Sequence, residues 1–150
     1  MSALRLPAAR GRRSWSRRPL RVAGFLFGLP NTLVGLAFAL TGWLLGARLR
    51  RTLHAIEALD HPLMMPRAAI SLGLTVCYGR GVTPASRLAN GVTFAEHERQ
   101  HAIQSAVLGP IYLPLHLGFG LWARVRDGRW HGPSNRLESG PLASPPRPWA

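Results

Sequence analysis

The chain has 150 residues and a formal charge of +13, from 19 basic residues that are all arginine against six acids. It has room for one domain, and its single cysteine, Cys77, excludes an internal disulfide or a cysteine-rich zinc site, so any bound metal must be held by histidines and carboxylates. Charge alone does not make it a nucleic-acid binder, because no recognition helix or aromatic-interleaved platform accompanies the arginines.

Residues 1–21 hold Arg5, Arg10, Arg12, Arg13, Arg17, Arg18 and Arg21 among Ser, Pro and Ala. Too little apolar content is present to pack, so a disordered basic arm is expected, attracted to anionic lipid. Residues 22–47 contain no charged side chain. The 18 residues from Pro30 onward would reach about 27 Å as a helix, near the thickness of a bilayer core. A transmembrane helix is therefore expected here, with Gly35 and Gly42 as close-approach positions and Trp43 as an interfacial aromatic. Arg48, Arg50 and Arg51 then stop it. Seven arginines before the segment against three after it favour a cytoplasmic N-terminus.

Beyond the arginines, residues 52–66 read as a short helix around Leu53, Ile56 and Leu59, with His54 and His61 in solvent. Residues 69–78 alternate Ile70, Leu72, Leu74, Val76 and Tyr78, the period of a strand, with a turn at Gly79-Arg80-Gly81 and a return strand from Val82. Such a strand beside a metal-bearing helix could pair with an extended substrate or simply cover the helix.

The most specific chemistry lies in residues 93–110, TFAEHERQHAIQSAVLGP. Thr93 and Glu96 form a capping box, Gly109-Pro110 is a stop, and no Gly or Pro interrupts the interval, which together predict a helix. Within it His97-Glu98-Arg99-Gln100-His101 is an H-E-x-x-H motif. Residues four apart share a helix face, so two imidazoles converge on one point with Glu98 beside them to act on a water. Residues 111–122 are apolar but broken by Pro110, Pro114, Gly118 and Gly120. At about 18 Å they are too short to span, so a re-entrant or interfacial element is preferred to a second crossing. Residues 127–150 are rich in Gly, Pro and Ser, with a short turn at 135–138 and a Pro-rich tail from 141.

The run from His97 to Pro114, H-E-x-x-H-x-x-Q-S-x-x-L-G-P-x-Y-L-P, resembles small bacterial membrane proteins that carry a zincin-type metallopeptidase signature. The similarity extends to Gly28-Leu29-Pro30-Asn31-Thr32 and to Asn135-Arg136-Leu137-Glu138-Ser139-Gly140-Pro141. It brings no substrate. Related gluzincin peptidases take a downstream Glu as third zinc ligand, which the resemblance maps to Glu138. Gln100 departs from the small residue expected before the second His.

The expected architecture is a mostly α membrane protein. It comprises a basic arm (1–21), one transmembrane helix (22–47), a small zincin-like region with a strand or hairpin (48–140) and a tail (141–150). The expected function is a membrane-anchored, zinc-dependent hydrolase of peptides or proteins. Zn²⁺ is held by His97, His101 and Glu138, and Glu98 is the general base. Tyr112, His116 and His131 remain open as oxyanion donors, with His116 the alternative third ligand. The competing reading is a membrane scaffold or metal-binding protein that retains the motif without turnover.

Overall fold

A computed structural model describes residues 18–89 and 91–139. The expected arm up to residue 17 and the Pro-rich tail lie outside the described residues. The elements are α1 (Arg18–Phe27), α2 (Leu29–Leu44), β1 (Arg48–Arg51), β2 (Ile56–Leu59), β3 (Ala69–Leu72), β4 (Thr75–Tyr78), α3 (Phe94–Leu108), a 3-10 turn (Gly109–Ile111), α4 (Tyr112–Asp127) and α5 (Arg136–Ser139). The four strands form one mixed sheet in the order β1-β2-β4-β3, with β2 and β4 parallel and the other two pairs antiparallel. The chain is thus a small α/β fold and not the mostly α membrane protein expected from its hydropathy.

Three sequence expectations change for identifiable reasons. Residues 52–66, expected helical, supply β2 instead, because Ile56, Glu57 and Ala58 pair with Thr75, Val76 and Cys77 from a distant stretch of chain. Residues 69–78, expected as one strand, form a hairpin turned at Gly73, whose φ of +64° suits glycine. Thr32 packs against this turn, and its Oγ1 accepts from the Leu74 amide at 3.1 Å. No strand returns at Val82; among the described residues after it there is a single isolated bridge, between Arg87 and Thr93.

The apolar segment 22–47 also differs from a membrane-crossing rod. It breaks at Gly28 into α1 and α2, and 16-residue α2 is about 24 Å long, short of a bilayer core. Its buried stripe is Asn31, Thr32, Gly35, Ala39 and Gly42, small or polar residues that let the helix approach the sheet. A Cβ at Gly35 would lie 2.5 Å from the Leu72 carbonyl oxygen. A Cβ at Gly42 would lie 2.2 Å from the His61 ring. His61, expected in solvent, is fully buried there. It stacks on Phe38 at 4.2 Å, accepts at Nδ1 from the Leu63 amide and donates from Nε2 to the Phe38 carbonyl at 3.0 Å. His54 is exposed.

Strand alternation divides the interior in two. Ala58 and Cys77 meet Ala39 of α2 on one side, while Val76 and Tyr78 join Val82, with Phe94 packed beside them, on the other. α3 lies along β3, the edge strand. The run Phe94–Asp127 is long and apolar enough, by length and composition, to cross a membrane. It is not straight. Gly109 has φ +58° and ψ −139°, outside any helical conformation, and the Phe27 ring occupies the space a side chain would need. The imidazoles of His101 and His116 are 5.2 Å apart, where 15 residues of straight helix would separate them by about 22 Å. α4 therefore turns back along α3.

A candidate metal centre on α3 and α5

The helix that carries the motif is fixed at both ends by local chemistry. Thr93 accepts the Glu96 amide, and the Glu96 carboxylate accepts the Thr93 amide at 2.9 Å, so each satisfies a donor that the first turn leaves open. At the other end Asn31 of α2 donates to Ser105 Oγ at 2.8 Å and to the Gly109 carbonyl at 2.7 Å. This holds the elbow that brings α4 back.

Glu138 arrives by a second route. Asp127 accepts from the Ser134 amide and hydroxyl at 2.7 and 2.9 Å, which closes the loop after α4. Buried Asn135 then accepts the Leu137 amide and starts the short α5. The result is a group in which His97, His101 and Glu138 each offer a ligand atom within 4.8 Å of the others. These three side chains could hold a metal ion.

The separations in this group are specific. His97 Nε2 and His101 Nε2 are 3.2 Å apart, and Glu138 oxygens lie 3.4 Å from the first and 3.1 Å from the second. Two donors each about 2.0–2.1 Å from a tetrahedral zinc stand about 3.3–3.4 Å apart, close to the spacing of the two imidazole nitrogens, and each nitrogen faces a different oxygen of the Glu138 carboxylate at a similar distance. Glu138 Oε1 is buried 3.1 Å from His101 Nε2, close enough to accept from that nitrogen when the ring is protonated.

Gln104 sets the tautomer of His101. Its Nε2 donates to the Leu137 carbonyl at 2.8 Å, so its Oε1 must be the atom 2.8 Å from His101 Nδ1, which therefore carries a proton. In the neutral ring the Nε2 lone pair is left facing His97 and Glu138, the arrangement metal-binding histidines adopt when an outer group holds the other nitrogen. Gln104 stands in the motif three residues after His101, on its helix face, and the sequence reading gave it no role. An amide at that spacing in an otherwise apolar stretch was the available signal. Asn31 and Asn135 were missed in the same way.

Electrostatics in the metal-free site separate the groups. Burial lowers His97 to about 4, helped by the neighbouring His101, so it remains neutral. Burial also opposes charge on His101, but the Glu138 hydrogen bond and charge, with Glu98 and Gln104, raise it to about 9. Burial would raise Glu138, yet His101 chiefly, with His97 and His131, holds it at about 2. Without metal, a proton on His101 thus compensates Glu138. Burial raises Glu98 to about 7, the charge of Glu138 adds to this, and His101 opposes it. Its Oε2 is buried with no hydrogen-bond partner.

All three open candidates surround this group. The Tyr112 and His116 rings lie 6.4 and 5.2 Å from His101 and stack on each other at 5.6 Å. His116 is buried with Nδ1 unpartnered. His131 is largely exposed, its ring 6.5 Å from that of His97 and its Nε2 3.7 Å from Glu138. No protein-family model matches the chain, and no curated protein or solved structure is significantly similar to it.

Proposed function

We propose that this protein is a zinc-dependent hydrolase acting on peptide or protein amide bonds, as its zincin-like signature suggests. The observation that carries the reading is the grouping of His97, His101 and Glu138, whose ligand atoms all lie within 4.8 Å of one another, with the two imidazole Nε2 atoms 3.2 Å apart. Two imidazoles and a carboxylate suit zinc, and three protein ligands leave a fourth position for water, the pattern of catalytic rather than structural sites. When bound, the ion supplies a Lewis acid and a water acidified toward neutrality.

The remaining steps belong to the side chains. Glu98 has a buried, unpartnered oxygen and a proton affinity near neutrality. A general base works best with its pKa near the operating pH, so Glu98 takes the proton from the attacking water and returns it to the leaving amine. His116 is the preferred donor to the developing oxyanion, because its buried Nδ1 has no other partner. A cavity of about 430 Å³ between α4 and the segment entering α5 is lined by Leu115, Phe119, Trp122, Ser134 and Arg136. It gives an apolar side chain space beside the helix that bears Glu138.

Turnover of a peptide library by zinc-loaded protein tests the proposal, with Glu98→Gln as comparison. The variant should keep its zinc and lose about 10²–10⁴-fold in rate. Wild-type protein that binds zinc stoichiometrically but cleaves no peptide would favour the alternative, a metal-binding protein without turnover. The same reading predicts about one zinc per purified chain.

A further inference from the structure

The outer surface of α1 and α2 has a polarity that a water-facing surface would not favour. On α2 the small and polar residues point inward, while Leu33, Val34, Leu40, Trp43 and Leu44 are each at least half exposed. The surface continues onto α1 through Phe27, which is half exposed and also covers Gly109, and onto exposed Ile111 at the elbow. Isolated exposed apolar residues are ordinary on proteins, but a contiguous patch of this kind marks a contact surface.

We propose that this face docks on an anionic lipid bilayer, embedding one side of α1, α2 and the elbow without crossing it. A protein partner would require a polar rim with hydrogen bonds, on the order of one per 100–200 Å². This face offers none. No charge occurs from Val22 to Ala47. Exposed Thr41 has its hydroxyl turned back to the Ala37 carbonyl at 2.9 Å, and Asn31 and Thr32 are spent inward. Apart from the Trp43 indole, the outward side chains of α2 are satisfied by hydrocarbon alone, and its backbone is satisfied within the helix, as lipid demands.

Length and charge settle how the face engages. At about 24 Å, with its inner side against the sheet, α2 suits embedding from one side better than traversal. At its C-terminal end Trp43 is followed by the exposed strand Arg48–Arg51. Arg48 and Arg50 pair with Asp60 and Glu57, while Arg51 forms no ion pair among the described residues. An aromatic followed by cationic side chains is the order expected from acyl boundary to anionic headgroups. The proposal stands independently of the metal centre.

Flotation of the full-length protein with vesicles tests it, using phosphatidylcholine alone and phosphatidylcholine mixed with phosphatidylglycerol. The wild type should float with both, more completely with the anionic mixture at low salt. Val34→Glu/Leu40→Glu, whose side chains point away from the core, should lose about a hundredfold in partitioning while keeping the wild-type circular dichroism spectrum. Wild-type protein that stays in the aqueous fraction with both vesicles would overturn the proposal, as would equal partitioning of a folded double variant. Sedimentation velocity without lipid gives the other decisive outcome: a stable dimer dispersed by the same substitutions would assign the face to a second copy of the chain and overturn lipid docking.

Discussion

The surroundings of His101 and the outer side of α2 distribute polarity in opposite ways. Around His101 the protein buries two imidazoles, two carboxylates and an amide, and compensates most of them by hydrogen bonds or ion pairs. On α2 it leaves leucines and a tryptophan outside and encloses asparagine, threonine and glycines. In ordinary folding, hydrocarbon is removed from water and polar groups remain in it. Here size governs α2, because only small residues allow its backbone to reach β4 and the β3–β4 turn. Chemistry governs the candidate metal pocket, where imidazoles and carboxylates could hold an ion and hydrocarbon could not.

The largest expected break in this contrast is at the ligands. His101→Ala, His97→Ala and Glu138→Ala should each abolish stoichiometric zinc retention, measured by metal analysis after dialysis, since two remaining ligands hold the ion poorly. Gln104→Leu keeps every proposed ligand but removes the acceptor at His101 Nδ1 together with the donor to the Leu137 carbonyl. It should weaken zinc about 10–100-fold in a competition titration with a chelating dye.

A pH series sharpens the same side. Metal must displace the proton that His101 binds up to about pH 9, so zinc affinity should rise with pH and level off above that value. The stability of metal-free protein runs the other way. His101 has a folded pKa above its ordinary 6.5, so its contribution is complete below 6.5 and is lost as pH rises through 9. Glu98, raised from 4.5 to about 7, loses its contribution across that lower interval. His97 and His116, held near 4, oppose this trend only below 6.5. The melting temperature of metal-free protein should therefore fall between pH 7 and 9, and saturating zinc should remove the decline.

The smallest effects concern the two faces of α2. Gly42→Ala would place a methyl 2.2 Å from the His61 ring and should cost about 1–3 kcal/mol in urea unfolding. Leu44→Ala, three-quarters exposed, should change stability in water by no more than about 0.5 kcal/mol. Equal costs at the two positions would erase the distinction between the faces.

The legibility of the sequence follows the range of the forces. The boundaries of α3 could be read from Thr93, Glu96 and Gly109 because capping and positive φ are local. The convergence of His97 and His101 follows from helix periodicity alone. The sheet could not be read in this way, since residues 52–66 become β2 through pairing with residues near 76, and the turn at Gly73 depends on Thr32. Hydropathy showed that residues 22–47 are apolar, but not that their smallest members face inward. Glu138 reached the candidate set through its motif resemblance; its path, through Asp127, Ser134 and Asn135, is tertiary and left no pattern to find.

Gln104 carries one further consequence, for the order of events during synthesis. Its amide orients His101 only when the Leu137 carbonyl is present, and Glu138 is the next residue. A nascent chain emerging from the ribosome can assemble α2, the sheet and α3 before either group exists. If the group holds a metal ion, as proposed, its capture would be the closing event of folding, and a chain stalled before residue 137 would display two histidines without the carboxylate that completes the group.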